Sequence, residues 1–185
     1  MKFKFLENDL NYDGSQLHSL FGYLGNGILG DSIIAFKGAC QIPFENMVDG
    51  EDVLAQSSIQ GQSMLHFIIE EFGMSLELAV TRQRLFAALV LGELTKYSPR
   101  AELRREGDDI YRHDSKLSIS IATVSPVSAL IHFAMNITND GTPVKTVSLI
   151  DIGVEPREIA GLIAQRYIHE IKTIKEACTK VKWVR

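Results

Sequence analysis

Two long helical patterns, one in the middle of the chain and one near its end, bracket a run of short strands. That arrangement limits the fold more than any other feature. In the first, over Ser75–Tyr97, Leu78, Arg82, Leu85, Leu89 and Gly92 recur at helical spacing. Leu76, Val80, Phe86 and Leu94 widen that face, and Pro99 stops it. The second opens at Glu155-Pro156, an acid and a proline where a helix N-terminus favours both. Its stripe is Ile159, Ile163, Tyr167, Ile171, Ile174 and Cys178, which makes Cys178 a buried, inert thiol by expectation.

The rest of the chain reads as strands and turns. Lys2–Leu6 alternates as a strand. Asp13-Gly14-Ser15 is a turn from which Ser15 caps a short helix over Gln16–Leu24. Gly22, Gly25, Gly27 and Gly30 punctuate a flexible segment ending at Asp31. Ser32–Phe36 is a buried strand left at Pro43, and Val48–Gly61 is a polar loop with one helical turn. Met64–Phe72 fits a strand, yet Leu65, Ile68, Ile69 and Phe72 also have helical spacing. No repeat, linker or low-complexity tract interrupts the pattern, so one α+β domain over residues 1–185 is the expectation.

Bulk properties narrow the class. The 185 residues carry a net charge of −4, so no global positive field draws in nucleic acid or an anionic membrane. The one basic cluster, Lys172, Lys175, Lys180, Lys182 and Arg185, complements the negative end of the last helix. Cys40 and Cys178 lie far apart without metal-ligand spacing, which fits a reducing cytoplasm better than a disulfide framework. The start of the chain has no signal-peptide pattern, and no window is apolar enough to span a membrane.

The stretch best suited to chemistry is Arg104-Arg105-Glu106-Gly107-Asp108-Asp109-Ile110-Tyr111, followed by Lys116-Leu117-Ser118-Ile119-Ser120-Ile121. It reads as a hairpin turning at His113-Asp114-Ser115, able to aim the Lys116 ammonium into a cleft. Asp108 and Asp109 are adjacent, so alternation sends them to opposite faces and at most one to the cleft. Asn136 ends a strand ahead of an Asp-Gly turn, and His132 sits on an otherwise apolar strand.

Asp108–Leu117 resembles the biotin protein ligase signature, an Asn-Asp-Leu/Ile-Tyr run followed by Lys-Leu-Ala-Gly-Ile. The seven-residue step from Asp109 to Lys116 is the step of that signature. Octanoyltransferases and lipoate ligases carry a related lysine strand, then a second strand closing on a His and an Asn-Val pair. Here that strand is Val127–Ile137, with Asn136 at the transferase-like distance from Lys116 and His132 one residue closer to Lys116 than that pattern has its histidine. Over its full length the chain resembles an uncharacterised archaeal and bacterial family, domain of unknown function 366. That family in turn resembles the class II aminoacyl-tRNA synthetase and biotin–lipoate ligase superfamily.

The resemblance implies a biotin/lipoate ligase-like α+β domain with a mainly antiparallel sheet packed by helices, and Met64–Ile69 as a strand. It makes Lys116 the catalytic candidate and Gly107, Asp108, Asp109, His132 and Asn136 candidates for substrate binding. Gly27, Gly30, Asp31 and Arg82 become candidates for nucleotide binding. The ligand implied is a small carboxylic acid or acyl donor, and adenylation would need ATP and Mg²⁺. Val147–Ile150 is an apolar edge suited to pairing across a homodimer. Two departures stand against full ligase chemistry. Leu149–Val154 lacks the octanoyltransferase cysteine, and neither Gly25–Gly30 nor Gln60-Gly61-Gln62 carries an arginine. A non-catalytic small-molecule-binding or regulatory module on the same fold is therefore the alternative.

Overall fold

The structure, a computed structural model, describes residues 1–184. Its main sheet has five strands in the order β1 (Lys2–Phe5), β2 (Ser32–Ile42), β3 (Ile59–Phe72), β8 (Ser128–Asn136) and β7 (Ser118–Val124). Only β1 and β2 are parallel; the other neighbours are antiparallel. A second sheet joins β4 (Leu103–Glu106), β5 (Asp109–Arg112) and β6 (Ser115–Lys116). The helices are α1 (Gly50–Ala55), α2 (Leu76–Tyr97) and α3 (Pro156–Thr179). The ambiguous Met64–Phe72 segment is strand, paired with β8 throughout and with β2 as far as Glu70.

Alternation along the central strands builds two faces. Leu65, Phe67, Ile131, Phe133 and Met135 turn to one face and pack under α2 and α3. There the Phe86 ring meets Phe67, Phe133 and Tyr167 edge-on at centroid distances of 5.2–5.4 Å. Met64, Ile68 and Ala134 turn the other way and meet Tyr12, Phe21 and Cys40. That second face is closed by the loop after β1, which approaches β2 so closely that a Cβ on Gly38 would strike the Leu10 carbonyl.

Both long helices start where the sequence places them, with Ser75 and Glu155 accepting the capping bonds. The buried face of α2 is offset from the leucine stripe, however. It consists of Ala79, Gln83, Phe86, Ala87, Val90 and Leu94, while Leu78 and Val80 are exposed. Two alanines let the helix axis approach the sheet, and leucines on several sides of the helix do not announce which stripe they serve.

Other expectations are corrected. Gln16–Leu24 is turns leading into a π-type coil at Phe21–Gly25, because Leu20 adopts a left-handed φ of 66° that breaks a helix. Cys178 is exposed, since the buried face of α3 ends at Ile171, about two turns before it. Lys172 pairs with Glu176 and Lys175 with Asp31, and no basic residue occupies the last turn; Arg185 lies outside the described residues. Val147 and Leu149 are buried within the chain, so only Ile150 of that edge faces solvent. No helix is long and apolar enough to cross a membrane.

Candidate functional site

The predicted hairpin forms, but its second strand changes sheets. Tyr111 pairs with Lys116 across a turn in which His113 is left-handed at φ 52°; after Leu117 the chain joins β8 as β7. Gly107 is also left-handed, at φ 64°, and packs against Arg84. Asp108 therefore belongs to a turn and not to the strand, so strand alternation does not separate it from Asp109. Both carboxylates face the same cleft, which corrects the expectation of one.

The cleft encloses about 460 Å³ over the end of the second sheet face, where Met64 is paired with Asn136. Asp49, Asp52 and Ile59 form one wall, Asp108, Asp109 and Lys116 another, and Thr142, Pro143, Val144 and Thr146 a third. The Lys116 Nζ lies 2.8 Å from Asp109 Oδ2, and the Tyr111 hydroxyl donates to the same oxygen at 3.3 Å. Behind Lys116, Asn136 donates from Nδ2 to the carbonyls of Lys116 and Val147 at 3.1 and 3.3 Å. Asn136 is thus a positioning residue for the lysine strand and more than turn punctuation. Asp108 is held from α2, accepting from Gln83 at 2.8 Å and pairing with Arg84 at 3.3 Å.

An ammonium has three donors, and Asp109 takes one. Two remain for a ligand oxygen. Burial holds the Asp109 carboxyl above its ordinary range, against the pull of Lys116. Burial does the same to Asp52, reinforced by Asp49 and opposed by Lys116. The lining carries five carboxylates, on Asp49, Glu51, Asp52, Asp108 and Asp109, against the single cation of Lys116. Such a field admits a neutral or singly charged ligand and opposes a bare polyphosphate.

His132 lies farther along the same face, buried, with Nε2 3.0 Å from Nδ1 of His66. The nucleotide candidates are elsewhere. Asp31 sits at the opposite end of β3, accepting from the Phe72 amide and pairing with Lys175. The six-residue step from Glu70 to Met64 separates it from the cleft by about 20 Å. Gly27 and Gly30 share that end, both left-handed. Arg82 is turned to Glu71 at 4.0 Å. Among the described residues no group of three or more His, Cys, Asp or Glu is placed to hold a metal ion. The cleft lining sets one ammonium, that of Lys116, and no arginine against a polyphosphate. Cys40 is buried, with its thiol pushed up to about 12 by burial, and takes no part in the cleft.

Sequence reading missed Asp49, Asp52 and Gln83. The first two lie in a stretch read as loop, and only folding brings it over β7. Gln83 left a usable signal: an uncharged polar side chain on a helix face that is otherwise apolar.

With this geometry in place, likeness to other proteins can be weighed. A family model described as "Domain of unknown function (DUF366)" matches residues 1–182. The uncharacterized protein MJ0805 of Methanocaldococcus jannaschii is 31% identical over 97% of this chain and 84% of its own. A solved protein of unknown function from Pyrococcus horikoshi superposes with a TM-score of 0.93 at 39% identity, over 99% of this chain and 100% of that one. The biotin protein ligase of Aquifex aeolicus, solved with biotin and ATP, gives 0.62 at 12% identity, over 95% and 72% of the two chains. A lipoate-protein ligase A bound with ATP gives 0.59 at 14%, over 93% and 86%. At those identities the two ligases share the fold, and the fold is what they establish.

Proposed function

The chain belongs to the DUF366 family, and we propose that its cleft binds a small carboxylic acid or the corresponding acyl group, with Lys116 holding the carboxyl end. The observation that carries this reading is the Lys116–Asp109 pair, 2.8 Å apart on the wall of a cleft of about 460 Å³. The counter-ion fixes the ammonium, and Asn136 fixes the strand that presents it. An ammonium held this way favours a carboxylate in the ground state. It also stabilises an oxyanion developing during acyl transfer, where losing one such donor raises a barrier by about 3 kcal/mol.

Acyl or cofactor transfer from a pre-activated donor is compatible with this site, because it brings no free polyphosphate into an acidic cleft. Binding without turnover is the second reading. The absence of any thiol or arginine from the cleft lining favours it. We place the protein in the reducing cytoplasm, supported by two unpaired cysteines.

The test pairs equilibrium dialysis of biotin, lipoate and octanoate with ATP–pyrophosphate exchange, on wild type and Lys116→Ala. Retention of one acid by wild type, weakened tenfold or more in the variant and without exchange, supports the reading. Exchange that needs one acid and vanishes in the variant would replace it with adenylation. Absence of any retention by the folded protein would remove the carboxylic acids as ligands.

A further inference from the structure

Beside the cleft, and sharing Asp49, Asp52, Ile59, Ile119 and Ser120 with its lining, lies a smaller hollow of about 50 Å³. Its walls are mostly apolar, and His132 and Tyr12 lie on its inner side. The Tyr12 ring covers a face of His132 at a centroid distance of 3.7 Å and an interplanar angle of 12°. Only the imidazole edge is left to meet the hollow.

The hydrogen bonds behind that edge settle which nitrogen carries the proton. His66 Nε2 lies 3.3 Å from the Gly38 carbonyl, and a carbonyl only accepts. Nε2 of His66 is therefore the N–H, and Nδ1 of the neutral ring is left as an acceptor. That acceptor lies 3.0 Å from Nε2 of His132, which must donate. By elimination, Nδ1 of His132 carries a lone pair. Burial favours the neutral form of both rings.

That lone pair has no partner within the protein. The polar side-chain atoms sealed in the interior without partners are on Ser32, Arg82 and Arg112. Nδ1 of His132 is not one of them, although the residue is only 2 % exposed. It opens on the hollow. The other titratable groups around that space are Asp49 and Asp52 at the rim and Tyr12. Carboxylates accept when ionised and so join Nδ1 of His132 as acceptors, while Tyr12, Asn46 and Ser120 bring donors to the same lining.

We infer that the hollow recognises an uncharged N–H or O–H donor at the far end of the ligand, received by Nδ1 of His132. The space takes only a terminal group of a few atoms. Its apolar walls disfavour a full charge on that group. His132 and Asn136 lie on one face of β8, four residues and about 13 Å apart. With the reading of Lys116 as the carboxyl anchor, on which this part rests, the ligand is a carboxylic acid or acyl group about that long, tipped by a neutral amide-like or hydroxyl donor. A plain fatty acyl chain would leave Nδ1 desolvated and unpaired, a penalty that sets specificity.

Three five-membered rings of equal size test this without a carboxyl group: 2-pyrrolidinone (neutral donor), cyclopentanone (no donor) and pyrrolidine (cation). Each is titrated into wild-type and Lys116→Ala protein carrying nitrogen-labelled histidine, and the ring nitrogens are followed by NMR. In the free protein, His132 should be the Nε2–H tautomer with a bare Nδ1. 2-Pyrrolidinone should shift that Nδ1 saturably towards the hydrogen-bonded value, in wild type and variant alike, with cyclopentanone silent. An Nδ1–H tautomer would overturn the inference. Equal responses to 2-pyrrolidinone and cyclopentanone, or a preference for pyrrolidine, would also overturn it. Because the probes lack the group Lys116 holds, failure here is distinct from failure of the carboxyl anchor.

Discussion

Asn136 donates its side-chain amide to the backbone carbonyl of Lys116 at 3.1 Å, tying the last residue of strand β8 to the lysine proposed to meet the ligand. The same Nδ2 reaches Val147, and the Asn136 carbonyl accepts from Leu149 at 2.8 Å. One asparagine thus joins β6, β8 and the segment leading to α3. Asn136→Ala removes the side-chain donor of the buried Val147 carbonyl, while the Lys116 carbonyl keeps the Val147 amide, and should destabilise the protein by about 1–3 kcal/mol. It should also weaken acid binding. Asn136→Asp, which cannot donate when ionised, should be at least as harmful in urea denaturation, whereas an unchanged midpoint would remove the positioning role.

The histidine pair predicts acid sensitivity. Burial pushes His66 down to about 4, and burial with the His66 neighbour holds His132 well below its ordinary value. Unfolded, both titrate near about 6.5. From about 6.5 down to about 4 the unfolded chain therefore binds more protons than the native one. This contribution is complete above that window and is lost as pH falls through it, by up to about 1.4 kcal/mol per pH unit for each histidine. Urea midpoints measured between about pH 7 and pH 5 should fall, and His66→Gln should remove part of the slope.

Glu71 acts with the opposite sign. Its carboxyl is raised by burial, although the Tyr167 hydroxyl donating at 2.6 Å and Arg82 lower it. Just above the ordinary value of 4.5, the native state holds a proton that the unfolded chain has released. This contribution is present at low pH and declines as pH rises to the folded value. Glu71→Gln keeps an acceptor for Tyr167 and removes the titration. The difference in stability between variant and wild type should therefore grow in the variant's favour as pH rises through that window, then level off.

Thiol chemistry separates the cysteines. Cys178 is exposed on α3, whereas Cys40 is 2 % exposed with its thiol pushed up to about 12. Native protein should react with one equivalent of a disulfide reagent and denatured protein with two. Ligand binding should survive the first modification. Loss of binding on modifying Cys178 alone would place a thiol back in the functional account.

The parts legible in sequence were those with one dominant local cause. The apolar spacing over Ser75–Tyr97 and the Glu155-Pro156 start announce the two long helices, and the polar turn at His113-Asp114-Ser115 announces the hairpin that presents the lysine. The Gln83 face of α2 was hidden because leucines surround the helix while two alanines decide which side approaches the sheet. Asp49 and Asp52 were hidden because their role depends on a loop folding over β7, a contact between distant parts of the chain. Asp108 misled because a single left-handed glycine before it cancels strand alternation. His132 was named, but its partner His66 lies on another strand, and spacing within one strand does not reveal it.

The most direct measurement compares each candidate acid with its own primary amide by titration calorimetry, on wild type and Lys116→Ala. The two members of a pair have the same shape and differ in the charge that Lys116 is proposed to hold. Wild type should prefer the carboxylate by roughly tenfold, about 1.4 kcal/mol, and the variant should bind acid and amide alike. A preference for the carboxylate that survives in Lys116→Ala would contradict the account, because the charge would then be read elsewhere.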